Sequence, residues 1–333
     1  MVTPENEASH QRFQVLALSG GGYRGLYTAQ ILADLEAHFK TPAATHFELL
    51  AGTSVGGILA LALALEIPAS KIVELFEKHG AEIFKRRARW AYFKSNYSSA
   101  SLRELLEQPD LFGQRRLRDC LHPLIVPAIN FTAGKPVLFK TDHHPSFVQN
   151  LDLRAVDVAL ATSAAPIYFP RHIFQSNQYV DGGLFANAPG ILALHEAEFF
   201  FRRRADDVHL MAVGTMSAKY TVDPRKDHHG GARSWGGWNP INTSKQLFGL
   251  AISTQETLVD FMLQQRLGDR YCHVDDDLKD EQARAVGLDT ATAAATEVLV
   301  GSAHERAKWV LGNEACRKFF SHPAAAPTFF HRS

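Results

Sequence analysis

Cysteine is scarce in this chain: 333 residues hold 3, at Cys120, Cys272 and Cys316, with no C-x-x-C pair. An odd number of widely spaced cysteines speaks against a disulfide framework or a zinc cluster, and predicts a reducing compartment. Excess charge of one sign is also lacking, since Lys+Arg and Asp+Glu both number 35. A nucleic-acid coat or a globally polybasic membrane binder is therefore not expected, and no nucleic-acid polymer is expected as a partner. No hydrophobic run is long. VGGILALALALEI, residues 55–67, stops at Pro68 and is too short to span a bilayer, so it reads as a buried core helix. The opening MVTPENEASH has no apolar h-region, so no secretory leader is expected. What remains is an ordinary globular composition, 46% hydrophobic and 21% charged, enough for one large domain or two modest ones. The expected setting is cytoplasmic, with membrane contact of the peripheral kind.

The chain opens on an alternation. FQVLAL (13–18) reads as a buried strand. Residues 26–39 have helical spacing, with Leu26, Ile31, Leu32, Leu35 and Phe39 on roughly one face. FELLA (47–51) is a second strand, and 55–66 a second helix. This β–turn–α–β–turn–α order predicts an α/β fold, a mainly parallel sheet covered by helices. Further on, 70–119 reads as mostly helical. Residues 123–141 read as two strands joined by a turn at Thr132–Lys135, and 153–165 as a small-residue helix. Residues 178–181 and 207–214 read as strands, and 190–204, 245–267 and 290–320 as helices. Residues 222–244, rich in Gly, His, Asp, Pro and Trp, read as a long loop.

Three turns carry candidate chemistry. The first is Ser19-Gly20-Gly21-Gly22-Tyr23-Arg24-Gly25, straight after the first strand. It satisfies G-x-G-x-x-G and fits a pyrophosphate cradle, which implies a dinucleotide-binding oxidoreductase. It fits an oxyanion hole of backbone N–H groups equally well. The second is Gly52-Thr53-Ser54-Val55-Gly56, a G-x-S-x-G between a strand and a helix. That context suits a nucleophilic serine on a sharp turn, with small residues two before and two after, and the Val55 N–H able to donate to an oxyanion. The competing reading is a plain glycine turn. The third is Asp181 in YVDGGLFANAP, delivered by a strand with Gly182 and Gly183 behind it. It is the candidate base for Ser54, or else a common Asp-Gly turn. None of the 16 histidines is placed as a triad partner; His304 and His322 come late but in helical or tail contexts. The dinucleotide reading asks for an acid at the end of the second strand. That strand ends in Ala51-Gly52-Thr53-Ser54, with Glu48 inside it, so the oxidoreductase reading is the weaker one.

FQVLALSGGGYRG, LLAGTSVGG and QYVDGGLFANAP, in this order, resemble the patatin-like phospholipases, and IVPAINFTAGKPVLFKT and ALATSAAPIYFP add to the match. The resemblance covers about 13–215, the implied catalytic domain. Residues 216–333 are then a long loop plus a helical C-terminal region packed on the same domain. It implies a three-layer patatin-like fold and a lipid acyl hydrolase with a Ser54–Asp181 dyad, forming an acyl-enzyme. Gly20, Gly21, Gly22, Arg24 and Gly25 match the oxyanion-hole motif, Gly52 and Gly56 the nucleophile elbow, and Gly182 and Gly183 the dyad motif. No metal or other cofactor is required, and the substrate is a phospholipid at a membrane surface. Two departures stand out: Ser19 where plant members often have Asp, and Asn187-Ala188-Pro189 where Asn often directly precedes Pro.

A dyad makes a physical demand. A carboxylate titrating near 4 is a poor base for a serine hydroxyl, so Asp181 is expected in a dry pocket that raises its pKa. Arg24 is expected to brace the glycine loop by bonding carbonyls, the other reading being a contact with lipid phosphate. The tail, including SWGGWNPI and STQETLVDFMLQQRLGDRYCHVDDDL, resembles bacterial members that act in anti-phage defence, whose phospholipase is switched on by a cyclic dinucleotide. Under that resemblance a cyclic dinucleotide is an activator, and Arg86, Arg87 and Arg89 are candidates for its phosphates. The 84–94 stretch, basic residues interleaved with aromatics, otherwise reads as a solvated helix end or an anionic-lipid site. FFFRRR (199–204) reads as core-plus-surface packing. Asp142-His143-His144 and Asp227-His228-His229 read as surface loops rather than metal ligands. Oligomeric state is left open, a dimer being allowed.

Overall fold

The structure is a computed structural model, and it describes residues 12–86, 95–216, 240–278 and 285–332. The first apolar run forms β1 (Phe13–Leu18), buried along its whole length. Such a strand needs cover on both faces. Leu16 and Leu18 enter one core, while Phe13, Val15 and Ala17 enter a second on the opposite side. The first core is closed by α1 (Gly25–Phe39), α2 (Val55–Ala64), α3 (Ala69–Ile83), α4 (Ala100–Leu106) and α5 (Ala155–Thr162). The second is closed by α7 (Gly190–Phe199), which follows the single turn α6 (Gly183–Ala186), and by α8 (Pro240–Leu267). The result is three layers, helices on both faces of one sheet.

The other strands are β2 (Leu49–Gly52), β3 (Leu124–Asn130), β4 (Lys135–Lys140), β5 (His172–Phe174), β6 (Asn177–Asp181), β7 (Val208–Val213) and β8 (Tyr271–Val274). They lie in the order β5-β6-β3-β2-β1-β7-β8, with β4 also on β3. The centre, β3-β2-β1-β7-β8, is parallel. The β4, β5 and β6 pairings are antiparallel. One junction positions the site. β3 pairs with β2 at Leu50↔Leu124 and Ala51↔Ile125, then with β6 at Ala128↔Asp181 through Asn130↔Tyr179. Because β2 runs with β3 and β6 runs against it, their C-terminal ends point toward each other across Val126–Pro127. Ser54 and Asp181 each sit at one of those ends.

The α/β expectation and its parallel centre are as read from the sequence. α2, the apolar run before Pro68, is buried at all 10 positions. Two short strands, β5 and β8, are additional. Three expectations are corrected. Helix α8 starts at Pro240, so 240–244 is helix rather than loop; Pro suits a first helical position, where its missing N–H costs nothing. The rest of the anticipated loop lies outside the described residues, as do Asp227-His228-His229, Arg87 and Arg89. Second, Cys272 and Cys316 form a disulfide. The helices α9 (Ala293–Gly312) and α10 (Glu314–Arg317) carry the chain back against the sheet, which brings the two sulfurs together despite a separation of 44 residues. Cys120 stays a buried free thiol. Third, Asp142 and His143 are not surface residues. His143 Nε2 lies 3.0 Å from Glu196 Oε1, which also takes Lys140, and Asp142 pairs with Arg332 of the C-terminal strap. They hold elements together and do not converge on a common ligand position.

Candidate active site

Ser54 sits between β2 and α2 at φ 55° and ψ −124°, a backbone conformation that a side-chain-bearing residue adopts only when its surroundings impose it. The turn closes so tightly that a Cβ on Gly52 would lie 2.1 Å from Gly56 O, and one on Gly56 would lie 2.3 Å from Leu18 O. Thr53 Oγ1 donates to Ala186 O at 2.6 Å, and Ser54 N donates to Thr162 Oγ1 at 3.0 Å. The strained turn is thereby fixed from two sides.

Ser54 Oγ donates to Asp181 Oδ2 at 2.7 Å, and Gly183 N donates to Asp181 Oδ1 at 2.7 Å. Asp181 is 1% exposed, and burial pushes its carboxyl up to about 7, against the downward pull of the Gly183 and Ser54 hydrogen bonds. Desolvation dominates because, among the described residues, no cation stands against the carboxylate. Thr162 joins the two ends of the site: its Oγ1 donates to Pro127 O at 2.6 Å, and its carbonyl accepts from Gly182 N at 3.3 Å. Gly182 has no room for a side chain, as a Cβ there would lie 2.4 Å from Pro127 O.

The glycine loop faces this pair. Gly22 has φ 58°, and a Cβ on it would meet Leu288 O at 2.2 Å, so both conformation and space call for glycine. Gly20 N donates to Asn187 O at 3.0 Å, which takes it out of the set of available donors. The Gly21 and Gly22 amides have no hydrogen-bond partner among the described residues, and both glycines line the cavity shared with Ser54 and Asp181. Gly25 opens α1 and allows Val55 to pack there; a Cβ would lie 2.2 Å from Val55 Cγ2. The Gly20 carbonyl is pinned by Thr215 Oγ1 and by Asn187 Nδ2, each at 3.1 Å. Arg24 is buried and does bond a carbonyl, but that of Met216 at 3.1 Å rather than one of the loop. It braces the segment that carries Thr215.

The cavity is open to solvent on one side and is walled by Ile58, Phe76, Leu102, Phe169, Phe248 and Ile252, among others. Among the described residues no histidine lines it. His304 instead pairs with Asp34, and His322 O faces His46. The apolar walls of this cavity suit an acyl chain. Thr162, Asn187, Thr215 and Leu288 are the site residues that sequence reasoning missed. Of these only Asn187, six residues after Asp181 and before a proline, had a local signal.

A strained serine turn beside an apolar cavity, in a three-layer α/β fold, is the arrangement of a serine esterase. The comparisons narrow the class. The model of the patatin-like phospholipase family matches residues 16–194. A cGAMP-activated phospholipase of Pseudomonas aeruginosa is 43% identical over 96% of this chain and 95% of its own. Proteins of the same description from Escherichia coli (32%, covering 94% of each chain) and Vibrio cholerae (29%, covering 96% and 98%) are also similar. The chain belongs to the patatin-like phospholipase family, and it is a lipid-hydrolysing esterase.

Proposed function

We propose that this phospholipase cleaves carboxylic esters of phospholipids with Ser54 as nucleophile and Asp181 as the only base. The observation that carries the reading is the 2.7 Å Ser54–Asp181 hydrogen bond at a carboxyl pushed up to about 7. Ser54 Oγ attacks the ester carbonyl as its proton passes to Asp181. The Gly21 and Gly22 amides receive the oxyanion, helped by the N-terminus of α2. The C–O bond to the alcohol breaks, and the leaving oxygen takes the proton back from Asp181. Water then attacks the acyl-enzyme, losing its proton to Asp181, and releases the fatty acid with Ser54 restored. A base near 7 is suited to proton transfer at neutral pH, whereas an ordinary Asp would be too weak. Residues 13–215 supply all of these groups. Of the later region, β8 extends the same sheet and α9 covers α1, which supports reading it as part of one unit. Replacing Ser54 or Asp181 with Ala, and measuring fatty acid released from phospholipid vesicles, tests the assignment; wild-type turnover by either folded variant would sink it.

A second layer rests on the relatives. Phospholipases named as cGAMP-activated match 94–96% of this chain, which takes in most of the region after residue 216. We infer that a cyclic dinucleotide gates the same activity, in a protein that works from the cytoplasm as a peripheral enzyme. Hydrolysis assayed with and without a panel of cyclic dinucleotides, cyclic GMP–AMP among them, decides this; equal rates throughout would remove the gating and leave the chemistry intact.

A further inference from the structure

Helix α8 is built the wrong way round for a surface helix. Its four charged residues, Lys245, Glu256, Asp260 and Arg266, all have partners on the protein: Asp289, Asn187, His273 and Glu198 respectively. Its outward face also carries four large apolar side chains, with Thr254 and Gln265 exposed among them. Leu247, Leu258, Phe261 and Met262 are 48%, 57%, 62% and 39% exposed. At about 100° per residue they fall within one sector about 120° wide, in which α8 carries no charge. Leu184 and Phe185 of α6 are also exposed, and α6 is tied to α8 by Gln255 Nε2 donating to Leu184 O at 2.9 Å.

We propose that this face, α8 from Leu247 to Met262 together with Leu184 and Phe185, is where the protein docks on a phospholipid bilayer. The proposal rests on the lipid-hydrolase reading above and adds to it the surface of approach. Two observations select the bilayer as occupant. The helix that carries the face also walls the catalytic cavity: Phe248 and Ile252 line it, and the exposed Leu184 and Phe185 follow Asp181 by three and four residues. A bilayer held against α8 therefore lies beside the cavity that holds Ser54. The sector also carries no charge to fix the register of a protein partner, and an acyl layer needs none.

The test uses the full chain carrying Leu258→Asn and Phe261→Asn, both at exposed positions outside the catalytic machinery. Binding to phosphatidylcholine vesicles is measured by co-sedimentation in a Ser54→Ala background, with and without cyclic GMP–AMP. Turnover is measured in parallel on vesicles and on a soluble short-chain ester. The expected result is about tenfold or greater loss of vesicle binding and vesicle turnover, unchanged soluble-ester turnover, and little effect of salt on wild-type binding. Unchanged vesicle binding overturns the proposal. If sedimentation shows a weaker self-association at the same time, the face belongs to a second copy; if melting temperature falls instead, it packs against the chain's own 217–239 segment. Failure of the wild type to hydrolyse even the soluble ester would overturn the hydrolase reading, while the binding arm still decides the docking surface.

Discussion

The Ser54 turn is closed by glycines four positions apart, whose nearest neighbours are backbone atoms of β1 and α2. The Gly20–Gly25 loop, which faces it across the same cavity, is held from far along the chain. Asn187, Thr215 and Leu288 supply its contacts, Arg24 and Asp275 hold the Met216 segment behind Thr215, and Glu256 of α8 holds Asn187. The Ser54 wall is thus tightened by its own glycines and tied down by Thr162 and Ala186, while the wall formed by the oxyanion loop is held mainly by residues from 187 onward. A shift of the segments that carry Thr215 and Leu288 bears on the oxyanion donors more than on the nucleophile. That division suits the gating proposed above.

The contrast can be broken at several points. Ser54→Ala and Asp181→Ala remove the chemistry itself, with an expected fall of about 10⁴-fold or more in kcat and an intact fold by circular dichroism. Gly56→Ala attacks the local wall. Its Cβ would press on Leu18 O and Ser19 O, which belong to backbone and cannot swing aside. Activity should fall by about 10²-fold, with a stability loss of roughly 2–4 kcal/mol in denaturant melts. Thr215→Val attacks the other wall by deleting the hydroxyl on Gly20 O at nearly constant shape. Here kcat should fall about five- to tenfold, with KM and melting temperature little changed. If Thr215→Val instead unfolds the protein while Gly56→Ala is tolerated, the two walls have been assigned the wrong way round.

Stability should also report on Asp181. A buried acid whose pKa rises on folding favours the folded state below its unfolded value near 4, and that advantage fades as pH rises through about 7. Asp181→Asn removes the cost of burying the ionised form. Its stability relative to wild type should therefore grow between pH 4 and 7, by up to about 4 kcal/mol. Melting temperatures at pH 5 and pH 8 give the comparison directly.

The locally built wall was also the legible one. Ser54 between Gly52 and Gly56, and Asp181 before Gly182-Gly183, stand out because the chemistry and the backbone constraint share a few adjacent residues. The glycine loop was ambiguous until the second strand was seen to end at Ser54. Apart from Asn187, the residues that hold that loop were invisible, because a threonine at 215 or a carbonyl at 288 has no pattern until the sheet brings it near. Cys272 and Cys316 failed for the same reason: their pairing is made by the return path of α9, which no spacing rule encodes. Strand β8 is only four residues long, too short for periodicity to register. Asp142-His143 looked like surface because polar triplets usually are; Glu196 and Arg332, which let them be buried, lie 53 and 190 positions away.

Labelling with a fluorophosphonate across pH tests the central claim most directly, since it needs neither lipid nor vesicle. The account predicts that Ser54 is the residue modified, that its rate rises with an apparent pKa near 7, and that Asp181→Asn labels slowly with no such limb. Labelling at another residue, or a wild-type rate and pH profile in Asp181→Asn, would contradict it.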